Sequence, residues 1–157
     1  MTLAGVHHSS GKDNWATPSQ FFDQVNSRYR FQLDACAEDW NAKCAQYYSE
    51  IDNGLIMPWK TWTWCNPPYS QIRNWYAKAV LEMGWGNSSV LLTFARTDTK
   101  AFHDYALKAS EIIFIQGRLR FVSPDTRKVE HPAPSPSILV VFDSSRVGET
   151  KFSTLKV

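Results

Sequence analysis

The stretch T-W-T-W-C-N-P-P-Y-S, residues 61–70, joins a strand-forming run to an asparagine, two prolines and a tyrosine. Because Pro67 and Pro68 have a fixed φ and no N–H, they turn the chain off the strand and leave carbonyl oxygens without local partners. The side-chain oxygen of Asn66 beside such a carbonyl would present two acceptors to one point, which suits an amino group. Tyr69 adds a ring face on which a planar group could stack. The motif therefore predicts a receptor for a planar –NH2 group, and a strand-ending turn with an asparagine cap is the alternative.

The elements that could position this motif follow from the pattern of apolar residues. Five runs have strand character, and they are residues 30–34, 61–65, 89–95, 111–115 and 137–142. Four segments fit helices: one that begins at Ser19 as its N-cap, and residues 40–48, 71–83 and 99–109. Strands and helices alternate until the last two strands, which no helix joins. We therefore expect an α/β fold with three layers and a mostly parallel sheet whose last strand pair is antiparallel.

Polar side chains mark the ends of the first two strand runs. Asp34 ends the first run, and Asn66 follows the second. In open α/β sheets, ligands lie beyond the carboxyl ends of the strands. Residues 66–69 therefore fall where chemistry would be placed.

Composition limits the classes of protein and partner. At 157 residues, 43% of them hydrophobic, the chain suits a single domain over residues 1–157, with the polar residues 1–12 as a flexible arm. A formal charge of +2 is too small to bind polyanions by bulk charge, so any nucleic-acid contact must be local. The three cysteines form no C-x-x-C pair, which indicates neither a disulfide framework nor a metal site. The sequence shows neither a membrane-spanning run nor a signal-peptide pattern, so we expect a cytoplasmic protein with no membrane partner.

Six segments in this order resemble the small phage-type DNA N-6-adenine methyltransferases, part of the wider class of S-adenosylmethionine-dependent amino-methyltransferases. They are W-A-T-P (15–18), F-Q-L-D-A-C-A (31–37), D-N-G-L (52–55), W-C-N-P-P-Y-S (64–70), A-R-T-D-T (95–99) and G-R-L-R-F (117–121). The resemblance covers residues 13–142 and implies a Rossmann-like methyltransferase fold, S-adenosyl-L-methionine as cofactor, DNA as partner, and a phage or prophage origin in a bacterial host. Because little chain separates Asp34 from Asn66, the sheet could be truncated at its early strands.

The same resemblance implies roles for particular residues. The catalytic residues would be Asn66, Pro67, Pro68 and Tyr69, and the cofactor-binding residues Trp15, Thr17, Pro18, Asp34, Ala35, Cys36, Ala37, Asp52 and Asn66. Asp34 would pair with the methionine ammonium group or order water beside it. Thr17 and Pro18 would contact the methionine carboxylate, and Asp52 would accept from the adenine amino group of the cofactor.

Local structure offers an alternative for several of these residues. Asp34 could cap a helix, Thr17 and Pro18 could simply precede one, and Asp52 could form an Asx turn. Trp15 could equally belong to the core. The small residues 35–37 stand where the wider class usually has a glycine-rich turn. The acid that would bind the ribose hydroxyls stays open among Glu38, Asp39 and Glu50.

Contact with DNA would fall on loops. A stacked adenine cannot reach a pocket, so the base would be flipped out onto Tyr69. Phe94 is a candidate second ring on the opposite face of the base, and core packing is the alternative for it. Residues 117–136 form an extended, proline-rich connection between the last two strand runs. The candidate DNA contacts are Arg96, Arg118, Arg120, Arg127 and Lys128, together with an N-terminal arm that carries His7, His8 and Lys12. A solvated loop is the alternative for residues 117–136.

The motif alone leaves other functions open. Asn66 to Tyr69 would serve a planar –NH2 group of RNA adenine or of protein glutamine as well as one of DNA. The absence of a glycine-rich turn also fits a nucleic-acid-binding relative that has lost catalysis. We favour a monomer, although the sequence does not establish the oligomeric state.

Overall fold

A computed structural model of the chain describes residues 14–157. Six strands form one sheet: β1 (Leu33–Asp34), β2 (Thr63–Cys65), β3 (Ser89–Phe94), β4 (Glu111–Gln116), β5 (Ser137–Phe142) and β6 (Lys151–Lys156). Their order across the sheet is β1-β2-β3-β5-β4-β6. β5 runs antiparallel to β3 and β4, whereas the remaining pairings are parallel. The expected α/β architecture with a mostly parallel sheet and an antiparallel pair of β4 and β5 is confirmed.

Helices cover both faces of this sheet. They are α1 (Ser19–Tyr29), α2 (Ile72–Gly84) and α3 (Lys100–Asp104), with 3-10 turns at Tyr69–Gln71 and Ala106–Lys108. α2 and α3 pack on the face that carries Leu91, and α1 packs on the face that carries Leu92. Since β3 is buried on both faces, its continuous apolar sequence follows directly from its central place in the sheet.

Residues 40–48 contain no helix, so that prediction is wrong. The segment instead lies along the outer edge of β1, where the Asp34 N–H donates to the Gln46 carbonyl and the Tyr48 N–H donates to the Asp34 carbonyl. These bonds require an extended backbone at 46–48 and replace the i to i−4 bonds of a helix. An irregular segment thus lies beside β1, where the sequence left open whether the sheet is truncated.

Several other elements differ from the sequence expectations, among them α3, which spans Lys100–Asp104 where a helix over 99–109 was predicted, and β2, which is shorter than the predicted 61–65. β1 is confined to Leu33–Asp34, shorter than the predicted run 30–34. Ser19 is the first residue of α1 and not its cap, because Pro18 precedes the helix and its carbonyl accepts the Phe22 N–H at 3.0 Å. β6 was not predicted, because its residues alternate without a sustained apolar run and lie at the edge of the sheet.

None of the helices within residues 14–157 has the length and apolar character needed to cross a bilayer. Across the same residues, no group of three or more His, Cys, Asp or Glu side chains is placed to hold a metal ion.

Candidate active site

A cavity of about 750 Å³ opens beyond the carboxyl ends of β1 and β2. The predicted cofactor residues that line it are Trp15, Thr17, Asp34, Ala35, Cys36, Ala37 and Asn66. Their meeting follows from topology, because β1 and β2 are parallel neighbours whose carboxyl ends reach the same edge. The cavity wall thus combines a carboxylate, a carboxamide and aromatic rings.

Asp34 is the buried charge of this cavity, with a residue exposure of 2%. Its carboxylate accepts the Cys36 N–H at 3.3 Å and the Lys43 N–H at 3.0 Å. Burial raises the pKa of Asp34 to about 7, although the two N–H bonds and the Lys43 charge act in the opposite direction. The carboxyl group therefore titrates near neutral pH, and a cation placed beside it would favour the ionised form.

The opposite wall is brought in by the segment 49–55. A Cβ atom at Gly54 would lie 2.0 Å from the Ala35 carbonyl oxygen, so only glycine allows this approach. The Trp59 indole N–H donates to the Gly54 carbonyl at 2.8 Å and fixes the segment from behind. Ser49, Glu50, Asn53, Gly54 and Leu55 consequently line the cavity.

Asp52 does not line the cavity, which departs from the sequence expectation. Its exposed carboxylate accepts both the N–H and the hydroxyl of Ser49 at 2.9 Å, and the Asp52 N–H donates back to that hydroxyl at 3.4 Å, a capping-box arrangement and not the Asx turn that was the alternative. These bonds hold the pKa of Asp52 below its usual value. Pro18 also lies outside the lining, so Thr17 represents that segment.

Two of the three acids considered for the ribose reach the cavity. Glu38 and Glu50 line it, and Asp39 does not. The Glu38 carboxylate accepts the Glu50 N–H at 3.2 Å, which ties the two wall segments together. Asp39 instead accepts from the Tyr47 hydroxyl at 3.4 Å.

Asn66 occupies the edge of this cavity with a defined orientation. Its Nδ2 lies 2.8 Å from the Trp15 carbonyl oxygen. Because a carbonyl can only accept, the NH2 side of the carboxamide must face Trp15, and Oδ1 is left as an acceptor. The Pro67 carbonyl accepts no hydrogen bond from residues 14–157, whereas that of Pro68 accepts the Gln71 N–H at 3.1 Å. Oδ1 of Asn66 and the carbonyl oxygen of Pro67 thus accept no hydrogen bond within residues 14–157.

Tyr69 and Phe94 form a direct stack beside this edge. Their ring centroids are 3.8 Å apart with an angle of 20° between the planes. The sequence expectation placed a base between them, but here each ring covers a face of the other, because stacking buries apolar area that would otherwise meet water. The Tyr69 hydroxyl is buried without a partner among residues 14–157, and burial raises its pKa. The two rings must part before a planar group can enter between them.

Tyr69 and Pro67 lie outside the large cavity. Tyr69 and Phe94 line a separate small cavity of about 50 Å³, to which Tyr76 and Arg96 also contribute. The Tyr76 hydroxyl is 2.7 Å from the Thr93 hydroxyl, which fixes α2 against β3 beneath the stack. Pro67 is buried.

The predicted DNA-contacting cations are all exposed, and two of them also contact other groups of the protein. Arg118 donates to the Ala133 carbonyl at 3.0 Å, and the Arg127 guanidinium lies 3.7 Å from the centroid of the Trp40 ring. Arg120 and Lys128 are exposed on the same loop. Arg96 is exposed beside the Tyr69–Phe94 stack, 5.8 Å from the Phe94 centroid.

Comparison with known proteins adds a family to this geometry. The family described as DNA N-6-adenine-methyltransferase (Dam) matches residues 6–156, nearly the whole chain. The chain belongs to this family. The resemblance seen in the six sequence segments is thereby confirmed.

Two proteins similar to this chain come from bacteriophages. The chain is 29% identical to the DNA N-6-adenine-methyltransferase of Escherichia phage T1, over 89% of this chain and 66% of that protein. It is 30% identical to the DNA N-6-adenine-methyltransferase of Haemophilus phage HP1, over 85% of this chain and 80% of that protein. The similarity therefore extends through the cavity, the Asn-Pro-Pro-Tyr motif and the loop 117–136 together.

Sequence reasoning missed several residues of this methyltransferase's cavity. Lys43, Asn53, Gly54 and Trp75 line it but were not among the candidates. The D-N-G-L segment carried a usable signal, since a glycine beside an Asx turn indicates a close backbone approach. The sequence carried no signal for Trp75, because a core residue of the helix would have the same spacing.

Proposed function

We propose that this chain transfers a methyl group from S-adenosyl-L-methionine to the N6 amino group of adenine in DNA, acting on a base flipped out of the duplex. The observation that carries the proposal is the Asn66 carboxamide. It is held with its oxygen as acceptor, on the same cavity as a buried carboxylate. The sheet order, with helices on both faces, supports a Rossmann-like methyltransferase fold for a single domain. The DNA partner would be met in the bacterial cytoplasm.

The large cavity fits the cofactor by the chemistry of its wall. Asp34 offers a buried anion to an ammonium group, and its raised pKa means that the protein alone does not fully compensate that charge. Glu38 and Glu50 offer acceptors to ribose hydroxyls, and the rings of Trp15 and Trp75 offer apolar faces to a purine. When bound, the cofactor supplies a methyl carbon made electrophilic by its sulfonium.

Asn66 and Pro67 would prepare the attacking nitrogen. Oδ1 of Asn66 and the carbonyl oxygen of Pro67 would each accept one hydrogen of the adenine amino group. Two such bonds polarise the N–H bonds toward nitrogen and increase the lone-pair character of that nitrogen. Holding the nitrogen in line with the methyl carbon is then the main catalytic contribution of the protein.

Tyr69 and Phe94 would receive the base. The two rings must separate for a purine to stack between them, and this movement would accompany base flipping. Arg96 lies beside the pair and would neutralise a phosphate of the flipped nucleotide.

Residues 119–133 would contact DNA outside the pocket. They fold back as a hairpin in which the Ser123 N–H donates to the Lys128 carbonyl at 2.9 Å. A two-stranded ribbon of this kind fits the major groove of B-DNA. All four arginine and lysine residues of the loop 117–136 are exposed, but Arg118 and Arg127 also hold the hairpin in place, whereas the Arg120 and Lys128 side chains make no hydrogen bond within residues 14–157.

The direct test is methylation of unmethylated DNA with labelled S-adenosylmethionine, followed by digestion to nucleosides. We expect label in N6-methyladenine, loss of that label in Asn66→Ala, and retention in Asn74→Ala, which truncates an exposed asparagine on α2. Parallel reactions with RNA and protein distinguish the alternatives, because label confined to either would contradict the DNA assignment. Failure to bind S-adenosylhomocysteine would favour a nucleic-acid-binding relative.

A further inference from the structure

We propose that the backbone of Trp15, held by the hairpin 119–133, sets the orientation of the Asn66 carboxamide, and that Val122 is the positioning residue of this connection. The inference rests on the proposed function only for its catalytic consequence. The structural connection can be tested in the protein without substrate.

The first observation is the bond from Asn66 Nδ2 to the Trp15 carbonyl, 2.8 Å across a sequence separation of 51 residues. A primary amide can rotate by half a turn and exchange its donor and acceptor ends at little steric cost. Only one of the two orientations presents an oxygen to an incoming amino group. Within residues 14–157 the Trp15 carbonyl is the sole hydrogen-bond partner of that carboxamide, so it selects the productive orientation.

The second observation explains what holds Trp15. The adjacent Ala16 forms a paired backbone bridge with Val122, with the N–H of each donating to the carbonyl of the other at 2.9 Å. Ala16 is itself buried, so water does not compete for these bonds. The carbonyl that orients Asn66 is therefore one residue from a two-bond clamp.

The third observation is that the hairpin carrying Val122 is firmly anchored. Leu119, Phe121 and Ala133 are buried in the core cluster beneath α1, and the Ala133 N–H donates to the Leu119 carbonyl at 2.9 Å. At the far end, the Arg127 guanidinium stacks on Trp40. Because the hairpin is anchored, its bridge to Ala16 fixes the position of the Trp15 backbone.

These contacts form one continuous connection from the hairpin to the catalytic carboxamide. It runs from Val122 to Ala16, along the backbone to Trp15, and across to Asn66. Movement of the hairpin on DNA would thus reach the group that grips the base through Ala16 and Trp15, which also line the large cavity.

The test observes the Asn66 side-chain NH2 signals by NMR, assigned by their loss in Asn66→Asp. In the unaltered protein we expect slower hydrogen exchange for Asn66 than for the exposed Asn74 side chain, by about tenfold for one ordinary hydrogen bond. Val122→Pro removes the N–H that donates to Ala16 and should abolish this protection. Val129→Pro places the same ring in the same hairpin, at an N–H with no acceptor among residues 14–157, and should leave the Asn66 signals unchanged.

Catalysis supplies a second readout. Val122→Pro should lower kcat for DNA methylation by about 10²-fold, as expected for a misplaced reacting group. Equal exchange of Asn66 and Asn74 in the unaltered protein would overturn the proposal and requires no variant to fold. Equal effects of the two prolines on the Asn66 signals would also overturn it. If the unaltered protein methylates no DNA, the proposed function fails, and the NMR result still decides the connection.

Discussion

Cofactor affinity should depend on pH through Asp34. The pKa of this carboxyl is about 7 without ligand, because burial raises it from 3.8. If the ionised form pairs with the ammonium group of the ligand, binding requires loss of the Asp34 proton below pH 7. The dissociation constant should then rise about tenfold for each pH unit below 7, or about 1.4 kcal/mol per unit, and level off above it.

Calorimetry with S-adenosylhomocysteine between pH 5 and pH 7.5 measures this dependence. The ligand amine keeps its proton over this range, since an α-amino group has a pKa of about 8. Buffers of different ionisation enthalpy should report the release of about 0.9 proton per ligand bound at pH 6, and little release above pH 7.5. The release at pH 6 follows from a carboxyl that is mostly protonated before binding and ionised after it.

Asp34→Asn is the matched control, because it keeps the size of the side chain and removes its ionisation. We expect weaker binding at pH 7.5 and no slope below it. A constant affinity for the unaltered protein from pH 5 to pH 7.5 would refute the assigned ion pair. A slope that persists in Asp34→Asn would place the titrating group elsewhere.

Without ligand, the free energy of unfolding should depend on pH through the same carboxyl group of Asp34. Its folded pKa of about 7 lies above the unfolded value of 3.8, so the folded state retains the proton between these values. The Asp34 contribution to the free energy of unfolding is therefore present at low pH and declines as pH rises from about 4 to about 7. The interval corresponds to about 4 kcal/mol. Urea denaturation of the unaltered protein and Asp34→Asn at both pH values should show this difference, and parallel pH dependences would contradict it.

Three further changes test other parts of the site. Gly54→Ala would place a Cβ 2.0 Å from the Ala35 carbonyl oxygen, so we expect a shifted wall and at least about tenfold weaker S-adenosylhomocysteine binding by calorimetry, and unchanged affinity would refute the close approach. Phe94→Ala removes a stacked, half-buried ring and should lower the free energy of unfolding in urea by about 2 kcal/mol, whereas a change below about 0.5 kcal/mol would argue against the closed stack. Arg120→Ala should reduce the salt dependence of DNA binding by about one charge. Arg118→Ala should not, because that guanidinium is held by the Ala133 carbonyl of its own loop. Equal salt dependences for the two variants would contradict this difference between the two arginines.

The sequence predicts the central strands closely, because their burial on both faces leaves a continuous apolar run. β5 coincides with the predicted 137–142, and β3 and β4 differ from their predictions at one end only. Residues 40–48 were assigned to a helix because local spacing says nothing about a neighbouring strand edge. The bonds from this segment to Asp34 are tertiary, so no local pattern announces them. β6 escaped for a related reason, since an edge strand needs no apolar run.

The site divides in the same way. Asp34 and Asn66 could be placed together because Asp34 ends β1, Asn66 follows β2, and parallel strands end at one edge. Asp52 could not be placed, because the direction of its side chain depends on the hydrogen bonds with Ser49. The orientation of the Asn66 carboxamide depends on a carbonyl far away in the sequence, and no spacing rule supplies it.

Asp34 also organises the wall that would bind the ligand. Its backbone N–H and carbonyl pair with Gln46 and Tyr48, while its carboxylate accepts N–H groups of Cys36 and Lys43. A buried carboxylate with two N–H partners is still incompletely compensated, as its raised pKa indicates. The group that shapes the irregular wall therefore carries an unfavourable burial energy, which a cationic ligand would reduce. The wall between β1 and β2 contains no helix and is held largely by bonds to Asp34. Ligand binding would therefore stabilise this wall as well as fill the cavity.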